Sequence, residues 1–133
     1  MAIETTKKQF TFRGKTIDEL KTLDVREFAK YLKSRQRRAV LRQFQNVENF
    51  VSRAKGKAEK NKPIKTHKRA LVIVPQMIGM KIQIHSGHAF VPVEILKEML
   101  GHRLGEFVPT RSKIKHGSAG IGSTKGTRSQ AKK

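Results

Sequence analysis

Residues 69–100 read RALVIVPQMIGMKIQIHSGHAFVPVEILKEML, and this stretch decides the fold of the chain. It begins with an apolar run, rich in β-branched side chains, that ends at Pro75 and predicts a buried strand. From residue 80 to 85 apolar and polar residues alternate, as they do in a strand with one buried face. We therefore expect a second strand whose inner side chains are Met80, Ile82 and Ile84 and whose outer side chains are Lys81, Gln83 and His85.

The second half of the same stretch predicts a hairpin and a short helix. His85–His88 has the composition of a tight turn, and residues 89–93 resume an extended pattern in which Pro92 suits an edge strand. The next residues predict a short helix that Gly101 would end as its C-cap. Its apolar face would consist of Ile95, Leu96, Met99 and Leu100. The predicted fold class is α+β, with a small, mostly antiparallel sheet packed with a short helix.

The segment before this core carries a helical pattern. Thr16 and Asp24 are each followed by an acidic residue three positions on, which marks two helix starts. After the second start, an apolar stripe predicts a face that packs on the core, formed by Val25, Phe28, Ala29 and Leu32. A continuing helix would then align Arg35, Arg38 and Arg42 on one face. Like charges at that spacing repel one another, and a phosphate backbone would relieve the repulsion.

A second amphipathic segment begins near Asn46, and we expect it to pack against the first helix. Its apolar positions are Val47, Phe50, Val51 and Ala54. Residues 54–69, AKGKAEKNKPIKTHKR, are rich in lysine and contain Gly56 and Pro63, so they predict a boundary before the next module. Two interpretations of this stretch stay open: a solvated linker, or a segment that runs along phosphates.

The composition points to a nucleic-acid partner. The chain has 133 residues, with 30 Lys and Arg against 10 Asp and Glu, and a formal net charge of +20. A membrane-surface protein of such charge usually adds an amphipathic apolar face or a lipidation signal, and neither is evident. No apolar run approaches the length of a membrane-spanning helix, and the first ten residues lack the apolar core of a signal peptide. We expect a cytoplasmic chain of one domain, without disulfides because it has no Cys.

The C-terminal residues 107–133 contain no carboxylate, because Glu106 is the last acidic residue of the chain. They are rich in Gly, Ser and Lys, so they cannot bury enough apolar surface to offset the entropy of ordering. We expect a polyanion to order this tail. Residues 117–125 superficially resemble a phosphate-binding loop, but no Lys directly follows the last Gly, and the sequence predicts neither a preceding strand nor a following helix. Nucleotide hydrolysis is therefore not expected.

The histidine and carboxylate residues do not complete a catalytic or metal site. His85 and His88 form an H-x-x-H pair and His102 follows, but no nearby residue supplies the further ligands that structural zinc prefers. The pair instead predicts a tight turn whose amides and imidazoles contact phosphate or sugar, and an idle exposed turn is the alternative. Carboxylates are scarce, so a general base would lack a clear partner. We expect no enzyme activity, no metal, no cofactor and no small-molecule substrate.

The core also carries a signature with characteristic spacing: Ser86-Gly87-His88, Ile95, Leu100-Gly101, Leu104-Gly105-Glu106-Phe107 and Thr110. This signature closely resembles the ribosomal protein family numbered nineteen in the small subunit. KTHKRALVIVP at residues 65–75 and EFVPTR at 106–111 are similar to the same family. RQRR at residues 35–38 and KHGSAGIG at 115–122 resemble its archaeal and eukaryotic branch, and the tail most resembles archaeal members.

The resemblance implies a non-enzymatic component of the small-subunit head, located in the cytoplasm within the small ribosomal subunit. Such a protein binds the 3′ domain of small-subunit ribosomal RNA and lies beside a head protein of the thirteen family. Its basic tail extends toward the decoding A site and transfer RNA. We expect the chain to divide into a helical extension with a basic linker at residues 1–62, an RNA-binding core at 63–108 and a basic flexible tail at 109–133.

Charge, turn chemistry and the resemblance together predict the residues that contact RNA. Gly101 and Gly105 would allow close backbone approach, Leu104 and Phe107 are assigned to packing, and Glu106 is expected to orient Arg103 or Arg111. The expected RNA contacts are Arg35, Arg37, Arg38, Arg42, Lys65, His67, Lys68, Arg69, Lys81, His85, Ser86, Gly87, His88, Gly101, His102, Arg103, Thr110, Arg111, Lys113, Lys115, His116, Lys125 and Arg128.

Two other functions compete with this interpretation. A DNA-compacting, histone-like protein would be equally basic, but the sequence has no recognisable motif that enters a DNA groove. A metal-assisted RNA-processing enzyme would use His85, His88 and His102, and a chelator would abolish its turnover. The favoured mechanism is scaffolding, in which the core binds RNA through phosphate, 2′-hydroxyl and stacking contacts and the extensions become ordered on it.

Overall fold

Four helices occupy the first half of the chain in the computed structural model, which describes residues 10–115. They are α1 (Ile17–Thr22), α2 (Val25–Ala29), α3 (Ser34–Arg42) and α4 (Phe44–Glu59). Both predicted helix starts are confirmed. Thr16 forms a capping box with Glu19, and the Asp24 carboxylate accepts a hydrogen bond from the backbone N–H of Val25 at 2.8 Å. These contacts satisfy amide groups that the first turn of a helix leaves without partners.

The helix expected to continue to Arg42 is interrupted between α2 and α3. The guanidinium of Arg37 donates to the carbonyl oxygens of Ala29, Lys30 and Leu32 at 3.2, 2.8 and 3.2 Å. These carbonyls lie at and beyond the end of α2, where no intrahelical partner is available. Arg37 therefore caps α2 and stabilises the break. The predicted stripe on α2 is confirmed, because its residues and Leu32 are buried.

Helix α4 presents its predicted apolar face to the core, where Val47, Phe50, Val51 and Ala54 are buried. It packs against α2, and the guanidinium of Arg26 lies 3.7 Å from the ring centroid of Phe44. The helix runs through Gly56 to Glu59, and residues 64–66 form a strand. The prediction of a linker over residues 54–69 is therefore wrong. A single glycine costs a helix only about 1 kcal/mol, and the surrounding Ala, Lys and Glu residues favour helix.

A three-stranded mixed sheet occupies the second half of the chain. Its strands β1 (Ile64–Thr66), β2 (Lys81–His85) and β3 (Phe90–Glu94) lie in the order β1-β2-β3. β2 and β3 are antiparallel, which confirms the predicted hairpin. β1 runs parallel to β2 and pairs Ile64 with Ile82. The α+β class is confirmed, although the parallel strand comes from the stretch that was expected to be a linker.

The apolar run before Pro75 is buried as predicted, but it is not a strand of this sheet. Its backbone instead pairs with the loop that follows β3. The N–H of Ile73 donates to the carbonyl of His102 at 2.8 Å, and the N–H of Leu104 donates to the carbonyl of Leu71 at 3.0 Å. Val72 and Arg103 form an isolated bridge. A short apolar run indicates burial without indicating its backbone partner, and this is why the strand prediction is wrong.

The helix expected after β3 is reduced to a 3₁₀ turn at Lys97–Met99. Ile95 still belongs to the sheet region, because its N–H donates to the carbonyl of Met80 and its own carbonyl accepts from Gly79. Too few residues then remain for an α-helix before Gly101, whose φ of +79° ends the turn. Ile95 and Leu100 are buried and Met99 is half-buried, whereas Leu96 is 51% exposed, so its predicted burial is wrong.

One hydrophobic cluster joins the helices to the sheet region. It includes Phe28 of α2, Phe50 of α4, Ile84 of β2, and Ile73 and Leu104 from the paired segments outside the sheet. Further 3₁₀ turns at Pro75–Met77 and Leu104–Phe107 close the core. Within residues 10–115, no helix is both long and apolar enough to cross a membrane. The helices and the sheet therefore share a core that positions the basic surface described next.

Candidate nucleic-acid interface

The turn between β2 and β3 is fixed by its own side chains. Gly87 has a φ of +108°, a conformation that favours glycine. The buried hydroxyl of Ser86 donates to the carbonyl of Ala89 at 3.0 Å, and Nδ1 of His85 accepts from the N–H of Gly87 at 3.1 Å. His88 is exposed. The predicted tight turn is confirmed, and it presents the His88 imidazole to solvent.

Arg69 ties this turn to the C-terminal part of the core. Nη1 of Arg69 donates to the carbonyl of His85 at 2.6 Å, and Nη2 donates to the carbonyls of Gly105, at 2.9 Å, and Val108. Three of the five guanidinium N–H groups are thus used inside the protein, and one on Nη1 and the one on Nε make no hydrogen bond within residues 10–115. The predicted RNA contact by Arg69 stays a prediction, but this geometry gives the residue a structural role that the sequence did not reveal.

The glycines of the loop after Leu100 approach the protein's own chain. A Cβ atom on Gly105 would lie 3.0 Å from Cβ and 3.1 Å from the carbonyl oxygen of Arg69. A Cβ on Gly101 would lie 3.0 Å from a methyl carbon of Leu32, and Gly101 also has a positive φ. A side chain at either position would crowd the protein's own chain, and the expected close approach of RNA to both glycines stays a prediction.

Glu106 has a different partner from the ones expected. Its carboxylate lies 2.7 Å from Nδ1 of His102 and accepts from the backbone N–H of Arg103 at 3.2 Å. The prediction that it orients the Arg103 or Arg111 side chain is therefore replaced by an interaction with His102. The imidazole hydrogen bond is the main reason that the pKa of Glu106 lies below its ordinary value, and the Arg103 N–H adds to it. Glu106 thereby fixes the ring of His102, whose Nε2 makes no hydrogen bond within residues 10–115.

Helix α3 lies beside both the 101–102 loop and the 67–71 segment. A groove near its start is lined by Lys33 and Gln36 together with Gly101 and His102. Another groove near its end is lined by Gln43 together with residues 67–71. The three arginines predicted to share a face of this helix are all exposed. The helix therefore lies next to two loops of the core and exposes three arginines.

The remaining predicted contacts differ in exposure. Arg103, His85 and Gly101 are half-buried, while Lys81 lies at the opposite end of β2 from the turn. His116, Lys125 and Arg128 lie outside the described residues. Exposed side chains belong to Arg35, Arg38, Arg42, Lys65, His67, Lys68, Lys81, His88, His102, Thr110, Arg111, Lys113 and Lys115. In the described part of the chain, no group of three or more His, Cys, Asp or Glu residues is placed to hold a metal ion.

Two basic residues of α4 were missed by the sequence analysis. Arg53 and Lys57 line a groove of about 260 Å³ together with Lys65, His67 and Lys68. Its floor is apolar and includes the buried Phe50, Ala54 and Ile64. The i, i+4 spacing of Arg53 and Lys57 places them on one helical face and was the available signal. The expectation of a linker from residue 54 onward obscured it.

The sequence profile of the family described as Ribosomal protein S19 matches residues 27–116. The chain belongs to the ribosomal protein S19 family. It is 38% identical over 122 residues to the small ribosomal subunit protein uS19 of Methanococcoides burtonii, covering 92% of this chain and 88% of the relative. It is 46% identical over 126 residues to the uS19 protein of Methanocella arvoryzae, covering 92% and 86%. Both the resemblance and its archaeal branch are confirmed.

Ribosomal protein S19 is a structural component of the ribosome and not an enzyme. The matched S19 region contains α3, α4, the sheet and the loop that pairs with the 69–75 segment. It therefore covers the turn, the Arg69 contacts and the His102–Glu106 pair. The predicted site thus lies almost wholly inside the part of the chain that defines the family.

Proposed function

We propose that this chain is a structural constituent of the small-subunit head, where its core binds the 3′ domain of small-subunit ribosomal RNA. Its archaeal relatives carry the name small ribosomal subunit protein, which supports a cytoplasmic location in that particle. The finer assignment to the head and to the 3′ domain rests on the resemblance of the core signature. The function is scaffolding, without a catalytic step.

The observation that carries the proposal is the convergence of separate predicted segments at Arg69. The predicted RNA contacts include residues of the β2–β3 turn, residues around His67 and residues after Phe107, which are separate segments of the sequence. In the structure, Arg69 bonds to the turn at His85 and to the exit at Val108. The ring of His67 lies beside that of His85, with centroids 4.4 Å apart. These segments therefore form one basic surface rather than scattered contacts.

The chemistry of this surface suits RNA backbone recognition. Exposed Lys68, His88 and Arg111 can donate to phosphate oxygens, and His102 is held in place by Glu106. Few carboxylates oppose them, because the whole chain has only 10 Asp and Glu. Double-stranded RNA is recognised mainly by shape, phosphate and 2′-hydroxyl contacts. We therefore expect shape to matter more than base sequence for most of these contacts.

The extensions have their own proposed partners. The helical extension at residues 1–62 carries the α3 arginines, which would bind phosphates beside the core. The tail at residues 109–133 would extend toward the decoding A site and transfer RNA, and every residue of its described part, up to Lys115, is exposed. A head protein of the thirteen family is the proposed protein neighbour. The absence of any acidic residue after Glu106 supports a polyanionic partner for the tail.

Crosslinking and mass spectrometry on growing cells test the proposal. We expect the chain to sediment with the small subunit, with crosslinks from the β2–β3 turn and from His102 and Arg103 to the 3′ domain of the ribosomal RNA. Tail crosslinks to transfer RNA would support the decoding assignment separately. Recovery of the chain mainly on chromosomal DNA, or free of ribosomes, would overturn the proposal and favour the histone-like alternative.

A salt titration with the full chain tests the electrostatic part. If about 8 phosphates are neutralised, the logarithm of affinity falls with the logarithm of salt concentration at a slope near −6 to −7. A slope shallower than about −2 contradicts the phosphate-contact account. Turnover of RNA that a chelator abolishes would instead revive the enzyme alternative.

A further inference from the structure

The outer face of the sheet is formed by the side chains that alternate away from the core. On β2 these are Lys81, Gln83 and His85, while Ile82 and Ile84 are buried on the other side. The strand register places Lys65 and Pro92 on either side of Gln83. Phe90 lies opposite His85, and Glu94 lies opposite Lys81. The face therefore has an aromatic end at the β2–β3 turn and a charged end at the start of β2.

Three rings contact one another at the aromatic end. The ring centroids of His67 and His85 are 4.4 Å apart, and those of His67 and Phe90 are 5.0 Å apart with nearly perpendicular planes. His85 and Phe90 are separated by 4.9 Å, also edge to face. His67 is exposed, and the other two rings are half-buried beneath it. One ring is thus presented to solvent on a support made by two others.

This ring cluster is held in place by the surrounding backbone. His85 and Phe90 are paired residues of the β2–β3 ladder, and Nδ1 of His85 accepts from the N–H of Gly87 at 3.1 Å. Arg69 bonds to the carbonyl of His85 at 2.6 Å. Side chains fixed in this way lose little conformational entropy when a ligand binds, so their contacts contribute more to affinity.

Lys65 lies beside the rings, and further lysines lie at the charged end of the face. Nζ of Lys65 lies 5.4 Å from the ring centroid of Phe90. A groove of about 470 Å³ at the charged end is lined by Lys62, Lys81, Gln83 and Pro92. Among the described residues, the carboxylate on this face belongs to Glu94, which lies across from Lys81 and away from the rings. Cations therefore flank both ends of the face.

We infer that this outer face binds single-stranded RNA, with an unpaired base stacked on His67 and the adjoining phosphates held by Lys65 and Lys81. The inference rests on the proposed function and adds a base-stacking site to it. An exposed ring beside a sheet, with cations on either side, matches the way unstacked bases are bound. A protein partner fits less well, because lysine is depleted in the cores of protein interfaces.

The test compares two fluorescein-labelled probes that carry the same charge. One is a short oligouridine, and the other is an abasic oligomer of equal length. The full-length variants are His67→Ala and Phe90→Leu, which remove ring surface, and His67→Phe, which keeps it. Phe44→Leu is the matched control, because Phe44 is a half-buried phenylalanine on α4 that packs under Arg26. Circular dichroism checks that each variant is folded, and His67→Ala affects an exposed side chain outside the strands.

The expected result is a selective loss. His67→Ala should weaken oligouridine binding about 5- to 150-fold, the range that corresponds to one base–aromatic stack. Phe90→Leu should weaken it by a smaller factor, because it removes a ring that supports His67 and leaves the stacking ring in place. Binding of the abasic oligomer, and the salt slope, should not change, because no phosphate contact is removed. His67→Phe should bind oligouridine within about 3-fold of the wild type, since its ring still stacks. Phe44→Leu should behave as the wild type with both probes.

Other results overturn the inference, and they separate it from the proposed function. Unchanged oligouridine binding by His67→Ala, or an equal loss with the abasic oligomer, rules out the stacking site while leaving the ribosomal assignment intact. Small subunits that carry His67→Ala and lose a neighbouring protein, with unchanged RNA crosslinks, identify the face as a protein-docking surface instead. A wild-type chain that binds neither probe and does not sediment with the small subunit contradicts both proposals.

Discussion

Replacing Arg69 by lysine should destabilise the fold while keeping the positive charge at the proposed RNA-binding surface. Lysine has a single ammonium group and cannot reproduce a fork that reaches the carbonyls of His85, Gly105 and Val108 together. The substitution therefore separates the structural role of this residue from an electrostatic one. Arg69→Met removes the charge and all three hydrogen bonds, which makes it the more severe member of the pair.

The expected loss of unfolding free energy follows from the number of hydrogen bonds that each substitution removes. A bond from a charged donor contributes about 1.5–3 kcal/mol in a buried site, and we take about 1 kcal/mol each because Arg69 is only half-buried. Arg69→Met should then lower the free energy of unfolding by about 3 kcal/mol. Arg69→Lys, which can satisfy one carbonyl, should lower it by about 2 kcal/mol. With a urea m-value of about 1.5 kcal/mol/M, the lysine variant should unfold at about 1.3 M less urea.

Urea unfolding followed by circular dichroism measures this shift in the full chain. Lys68→Gln is the matched control, because Lys68 is exposed, lies next to Arg69, and makes no side-chain hydrogen bond within residues 10–115. Its unfolding free energy should stay within about 0.5 kcal/mol of the wild type. If Arg69→Lys unfolds within about 0.3 M urea of the wild type, the fork does not hold the core together and the reasoning fails.

Three further predictions concern neighbouring features. In the same urea assay, Gly105→Ala should lower the free energy of unfolding by about 1–3 kcal/mol, because its Cβ would lie 3.0 Å from Cβ of Arg69. Gly56→Ala in α4 should raise it by about 0.5–1 kcal/mol, because its Cβ would meet open space. Arg38→Gln should reduce the magnitude of the salt slope for RNA binding by about 0.7–0.9 and leave the midpoint of urea unfolding unchanged. Arg37→Gln should lower that midpoint, because it removes the hydrogen bonds that cap α2. The pKa of Glu106 is lowered in the fold, so its carboxylate stabilises the native state. The wild type should therefore be more stable than Glu106→Gln above pH 4.5, and this difference in the free energy of unfolding should disappear as the pH falls through the folded pKa. Urea unfolding at several pH values measures the difference.

The sequence was most informative where one local signal determined the outcome. The caps at Thr16 and Asp24 and the alternation from residue 80 to 85 each predicted an element that the structure confirms. Helix periodicity likewise identified the buried face of α4. These features depend on contacts between residues a few positions apart, so a short window of sequence contains the whole signal.

The failures arose where the partner was distant in sequence. The run before Pro75 had the composition of a strand, but its backbone partners lie about thirty residues later in an irregular loop. The real third strand, Ile64–Thr66, was hidden in a lysine-rich stretch because it is short and pairs with β2 in parallel. Neither pairing produces a periodic pattern of residues, because tertiary packing decides which distant segment a short strand pairs with.

The same limit applies to the basic residues. The chain contains 30 Lys and Arg, and this count does not distinguish residues that are free to bind phosphate from residues that bond within the protein. Arg37 and Arg69 each donate to three backbone carbonyls, so most of their hydrogen-bonding capacity is used inside the protein. A guanidinium binds a carbonyl oxygen with the same donors that it offers to a phosphate, and nothing in the local sequence separates the two uses. Paired substitutions such as Arg37→Gln and Arg38→Gln are therefore informative: adjacent residues of the same type should change stability in one case and RNA affinity in the other.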